Sequence, residues 1–266
     1  MLSRLKAILR PAARTRPIEL DDGLYERVSG RFPALHHLDH KQRVLLKTRC
    51  REILNTKSFQ GAGDFAPQDD DCLAVALLAA LPVLHLGLDG YRDFHTFILY
   101  PAPFIADIEE VDEDGLVHSG RDLRSGEAWA RGPVVLAMND VWDSGQGEGF
   151  NVVVHELAHQ LDQLNGEANG FPPLHAGMDA GAWTRAFSAG FERLLTELEQ
   201  GLEPSIDPYG AESPAEFFAV ACEFYFDVPD WLAENHSQIH AQLAKFFMMD
   251  QKDASRRVAE TQRSAE

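Results

Sequence analysis

Hydrophobic and polar positions change period along the chain. From Asp39 to Lys57, Val44, Leu45, Cys50, Ile53 and Leu54 recur at helical spacing with Arg and Lys between them, which predicts an amphipathic helix. Phe59–Gln68 contains Gly and Pro and reads as a loop. The run Asp69-Asp70-Asp71 offers an N-cap and first-turn acids to the apolar stretch CLAVALLAALPVLHLGL, Cys72–Leu88. That stretch is apolar all round and predicts a buried core helix followed by a second buried element. The period then shortens. Phe94–Tyr100 is aromatic and β-branched, is stopped by Pro101 and Pro103, and predicts a strand. Phe104–Ile108 predicts another short strand, Val111–Gly126 is polar and turn-rich, and Pro133–Ala137 predicts a strand between Gly132 and Asn139. Asp143–Gly149 has the composition of a flexible loop. Beyond it the pattern is helical over Asn151–Leu164, Trp183–Glu199, Pro214–Asp227 and Pro229–Met249, with a loop over residues 201–213.

The sum is a predominantly helical α+β fold with a small central β-sheet. Residues 1–30 are weakly patterned and residues 251–266 read as a loose tail. Between them 31–250 forms one domain, helical over about 31–90 and carrying the chemistry over about 91–250. With 266 residues, 45% of them hydrophobic, the chain can bury a full core and is not disordered. A formal net charge of −18 argues against nucleic acid and anionic membranes as partners. Three widely spaced cysteines, Cys50, Cys72 and Cys222, fit no disulfide framework and suit a reducing compartment. The N-terminus, MLSRLKAILRPAARTRP, can form a short amphipathic turn pair through Leu2, Leu5, Ile8 and Leu9, but has no apolar h-region. A cytoplasmic protein with no membrane association is the expectation.

One motif carries chemistry. His155-Glu156-Leu-Ala-His159 is an H-E-x-x-H sequence within the helix predicted over Asn151–Leu164. Residues i and i+4 share a helix face, so His155 and His159 can offer two ring nitrogens to one metal ion. Glu156 lies about 100° further round, badly placed as a ligand and well placed to take a proton from an activated water. Such a zinc site keeps one position open and lowers the pKa of its water to about 7. The flanking Val152, Val153, Leu157, Ala158 and Leu161 are apolar, so the helix can be buried, and buried His and Glu without a cation are costly.

A third ligand is required, and spacing leaves it open. Asp162 is three residues past His159, where an acceptor for a histidine N–H is more natural than a ligand. His175 is 16 residues past His159. His236 and His240 form another i, i+4 pair, but no acid stands between them, and they read as the polar face of the last helix. Glu216 and Glu223 share a face of the otherwise apolar Pro214–Asp227 helix, with Glu216 the better ligand and Glu223 the better supporting group.

These segments resemble a known family. HELAHQLDQLNG (155–166) and IDPYGAESPAEFFAVACEFYF (206–226), with LPVLHLGLDGYRDFHTFILYPAPF and GPVVLAMNDVWDSG upstream, are similar to the Mlc titration factor A family of zinc peptidases. The resemblance covers roughly residues 70–250. It implies a zincin-like core, one Zn(2+) per chain held by His155, His159 and Glu216, catalytic Glu156, and Tyr209 as a donor to the oxyanion. It implies peptide hydrolysis, aminopeptidase-like in form, and as an alternative a regulatory protein that sequesters a glucose-responsive transcriptional repressor. A metal-dependent hydrolase of other substrates is disfavoured by the lack of a second metal cluster or phosphate-cradling loop. Pro133–Asn139 is a candidate edge strand for binding a peptide main chain, with an ordinary core strand as the alternative, and Asp143–Gly149 a candidate gate.

Overall fold

A computed structural model describes residues 12–13, 18–111, 117–124, 126–128 and 132–249. The N-terminal turn pair expected around Leu2–Leu9 and the tail 251–266 lie outside the described residues. Helix α1 (Asp22–Ser29) falls within the stretch that reads as weakly patterned. Its Leu24 and Val28 belong to the same core that continues to Met249. Helix α2 (His40–Thr56) begins at Asp39, whose carboxylate accepts the Gln42 N–H, as the spacing predicts. Its inward face is turned from the expected one: Leu46, Cys50 and Ile53 are buried, whereas Val44 is 56% exposed.

Helix α3 (Asp69–Ala80) is the centre of the molecule, and every residue from Cys72 to Ala80 is buried. Its N-cap is Gln68 rather than the aspartate run. The Gln68 N–H donates to the Asp71 carboxylate at 2.9 Å, and the acids occupy the first turn, where the helix dipole favours them.

One five-stranded sheet has the order β1–β2–β3–β7–β6. Its members are β1 (Ala12–Ala13), β2 (Ser58–Gly61), β3 (Thr96–Tyr100), β6 (Gly126–Ala128) and β7 (Val134–Ala137). The central three are parallel and β1 and β6 are antiparallel to them. A separate antiparallel pair joins β4 (Phe104–Val111) to β5 (Val117–Arg124). Two segments that read as loop and turn, Phe59–Gln68 and Val111–Gly126, therefore contain strands. β2 is short, and its register with β3 (Ser58 opposite Thr96) comes from partners far along the chain. The sheet packs Phe59, Phe97, Leu99, Val134 and Leu136 into the main core, with Ala62, Ile98 and Val135 on its other face. β7 lies between β3 and β6, so Pro133–Asn139 is an interior strand and not the edge that a peptide could join.

Helix α4 (Met138–Asp143) follows, and then α5 (Val152–Asp162), α6 (Ala180–Glu199) and α7 (Pro214–Asp227). The predicted last helix is two, α8 (Pro229–Asn235) and α9 (Ser237–Phe246), broken at His236 with φ −133° and ψ 53°. His236 and His240 are buried rather than a polar face, and the His236 Nε2 lies 2.9 Å from the Ser205 hydroxyl. No described helix is long and apolar enough to cross a membrane.

Burial pushes the His236 pKa down to about 4, with Arg193 adding to the effect and Glu197 opposing it. The unfolded chain binds a proton near the ordinary value of about 6.5. Between these values the unfolded state holds a proton that the folded state lacks, so stability falls as pH is lowered through the window. At about 1.4 kcal/mol per unit the loss approaches about 3 kcal/mol by pH 4. Urea midpoints at pH 7 and pH 4.5 should show a smaller acid drop in His236→Gln than in the parent.

Candidate metal centre

Helices α5 and α7 are packed side by side and bring the site together. α5 is pinned at its start: the Asn151 side chain accepts the Val154 N–H at 3.1 Å, and the Ser144 hydroxyl accepts the Val152 N–H at 3.0 Å. All eleven residues of α5 are buried. α7 starts with Pro214 at a position that needs no N–H, and Ser213 caps the Glu216 N–H.

His155, His159 and Glu216 converge. The two Nε2 atoms are 3.2 Å apart, and the Glu216 Oε2 lies 2.9 Å from that of His155 and 3.2 Å from that of His159. Bonds of about 2.0–2.1 Å at tetrahedral angles place ligand atoms about 3.3 Å apart, so this donor set fits a single divalent cation. Their side chains keep 11%, 11% and 21% exposure, which leaves one side open to solvent.

The charges demand a cation as well. The His155 Nδ1 faces the Glu223 carboxylate at 2.8 Å, and a carboxylate only accepts, so Nδ1 carries the proton. The His155 Nε2 then points a lone pair at Glu216 unless positive charge lies between them. Burial works against a charged His155, but Glu216, Glu223 and Glu156 outweigh it and raise its pKa well above the usual range. Burial likewise opposes ionisation of Glu216, yet His155 and His159 hold its carboxyl far below the usual range. A proton or a metal ion satisfies this demand, and the N₂O donor set accommodates the metal ion.

Glu223 also takes the Asn151 backbone N–H at 2.5 Å, so it fixes both the imidazole and the helix start. Asp162 does not take the place expected for it. Its Oδ2 accepts the Asn169 and Gly170 N–H groups, each at 2.7 Å. Its Oδ1 and the His159 Nδ1 have no hydrogen-bond partner among the described residues. His175 is elsewhere, 2.7 Å from the Phe246 carbonyl, and His236 and His240 lie on the far helices. Glu156 is buried beside His155 on α5. Tyr209 stands on a short 3₁₀ segment with its ring 5.7 Å from that of His155, and is 45% exposed.

Sequence reasoning missed Asp227. Its carboxylate accepts the Gly147 and Gly149 N–H groups at 3.0 and 2.6 Å, and so ties the segment that reads as a flexible gate. The signal was present: 216, 223 and 227 are spaced seven and four apart, one stripe of a helix.

The sequence profile of the glucose-regulated metallo-peptidase M90 family matches residues 8–248. The chain belongs to this family. Among its relatives, proteins named Mlc titration factor A from Serratia proteamaculans and Cronobacter sakazakii are 38% identical over 222 residues and 36% identical over 221. Each alignment covers 82% of this chain, and 84% and 83% of the respective relative. The protein of the same name from Escherichia coli strain 55989 is 35% identical over 221 residues, 82% of this chain and 83% of the relative. A member of a metallopeptidase family thus carries a His-His-Glu cluster whose three ligand atoms lie within 4.8 Å of one another.

Removing the carboxylate behind His155 should loosen the metal. Chelator competition is expected to show about 10-fold weaker binding in Glu223→Gln and nearer 100-fold in Glu223→Ala.

Proposed function

We propose that this chain is a zinc peptidase in which His155, His159 and Glu216 hold one zinc ion and Glu156 is the general base. The convergence of those three ligand atoms, with Glu156 next to His155 on the same buried helix, carries the reading. Two imidazoles and one carboxylate suit zinc by donor softness and by number, leaving a fourth position for substrate or water. Bound zinc supplies Lewis acidity to the peptide carbonyl and acidifies water to near neutral pH.

The chain's own groups do the rest. Glu156 accepts the proton of the attacking water on its carboxylate and delivers it to the departing amine. Tyr209 donates its phenol hydrogen to the oxyanion, and its exposure places the ring on the solvent side, where substrate arrives. Glu223 holds the His155 Nδ1–H and keeps the other ring nitrogen aimed at the cation. Among the described residues β6 is last in the sheet order, so its outer edge, rather than β7, is where a substrate main chain can add as a strand. Action at a free N-terminus is the finer form of the proposal. Aminoacyl substrates set against internally quenched peptides test it, and faster cleavage of the latter overturns it.

The name of the relatives supports a second role, binding of a transcriptional repressor of the Mlc kind, for which hydrolysis is not needed. It implies a cytoplasmic place of action.

Glu156→Gln should retain one zinc per chain by metal analysis and lose hydrolysis by at least about 100-fold. Parental rates in that variant would remove Glu156 from the mechanism. Repressor capture should survive the same substitution, and a failure of the parent chain to bind purified repressor would end the second role.

A further inference from the structure

A cavity of about 210 Å³ opens between α6 and the start of α7. Five aromatic rings line it: Phe171, Trp183, Phe187, Phe191 and Phe217. Trp183 is stacked on Phe187 with ring centroids 4.4 Å apart, and its indole N–H is used by the Gly170 carbonyl at 3.1 Å. The floor therefore offers apolar surface and no free donor from the indole. Phe171 and Phe191 are only partly buried, so apolar surface faces the opening. The polar groups at its rim include Ser188, on the exposed side of α6, and Glu192, the one charged residue in the lining.

Two residues of this lining, Pro214 and Phe217, stand on either side of Glu216 along α7, although no residue of the metal centre itself lines the cavity. Pro214 lines it and is the first residue of α7, two before Glu216. Gly170 lines it too and is held by the Asp162 carboxylate, one turn past His159 on α5. Gly170 adopts φ +77°, and a Cβ there would lie 2.4 Å from the Pro214 carbonyl oxygen. The two segments are thus in direct backbone contact, and only glycine allows it.

We propose that this cavity is a substrate subsite that receives an aromatic or large aliphatic side chain of the peptide, next to the bond cut at His155, His159 and Glu216. The proposal rests on the peptidase reading and names its substrate class. Apolar cavities of about 150 Å³ hold a benzene ring, so the space here accepts a Phe, Tyr or Leu side chain. Aromatic lining with few polar groups is the usual make-up of a small-ligand pocket. Glu192 repels an acidic side chain, in the same sense as the net charge of −18.

The test uses the full chain loaded with zinc and two substrate sets that each vary one residue among Phe, Ala and Asp: aminoacyl substrates with a free N-terminus, and internally quenched peptides in a Gly/Ser background. The parent should cleave beside Phe with kcat/KM about 10- to 100-fold above Ala, as burial of such a side chain provides. Asp should be the poorest. Ser188→Trp and Thr184→Phe, which fill the mouth from exposed helix positions, should bring the Phe-to-Ala ratio toward one. Zinc content and melting temperature identify a variant that has not folded. Equal cleavage of Phe and Ala peptides by the parent, or a ratio untouched in both folded variants, overturns the subsite. Should no peptide be cut, the peptidase reading fails and the cavity is judged by binding alone. N-acetyl-phenylalanine amide should then bind the parent measurably more tightly than N-acetyl-alanine amide and lose that margin in the variants, and equal binding overturns the proposal.

Discussion

Negative charge buried between two helices is the constraint on which the rest depends. Glu216, Glu223 and Asp227 form one stripe on α7 facing α5 and the turn before it. Among the described residues none of the three has a lysine or arginine as ion-pair partner. A carboxylate taken from water without compensation is expensive, so each must find donors. Asp227 takes the N–H groups of Gly147 and Gly149, Glu223 that of Asn151 together with the His155 ring, and Glu216 faces both imidazoles. Sliding α7 past α5 by one turn would strand all three acids at once. The register of the helix pair is therefore fixed by these polar contacts as well as by packing.

That register builds the candidate centre. Because Asp227 and Glu223 fasten the loop and the first turn of α5, His155 and His159 arrive at Glu216 with ligand-like spacing before any ion is considered. Asp162, at the other end of α5, extends the arrangement by holding Asn169 and Gly170, and Gly170 meets Pro214 at the start of α7. Helix pair, candidate metal site and aromatic cavity are successive parts of one seam. The hydrophobic material around it, with α3 in the middle, gives the low-dielectric setting in which Glu216, facing the two imidazoles, has so strong a claim on positive charge.

Much was legible in the chain because the signals were local. The α7 boundaries come from a proline at the tolerated first position and a run that is apolar except for Glu216 and Glu223. Those of α2 come from Asp39 and helical spacing. The His155–His159 pair and Glu156 follow from one turn of helix. The errors share a cause. β2 and β5 were read as loop and turn because a short strand owes its state to partners distant in sequence, not to its own residues. α8 and α9 were read as one helix because the break at His236 is made by burial beside Ser205 rather than by proline or glycine. The loop 143–149 looked free because its glycines were visible and its anchor, nearly 80 residues away, was not.

By itself, then, the sequence determined most of the helices, the i, i+4 histidine pair as candidate ligands and the catalytic glutamate candidate, since each depends on the geometry of a single helix. Spacing limited the candidate third ligand to a few acids and histidines, and the family resemblance singled out Glu216 among them. The tertiary structure decided which of them meets the pair, that Glu223 and not Asp162 supports a histidine, and that β7 is interior. It alone decided that five aromatic rings from α6, α7 and the 169–171 segment enclose a cavity beside the centre. Those outcomes depend on how separate elements pack, and packing follows from the whole set of buried contacts rather than from any local stretch of residues.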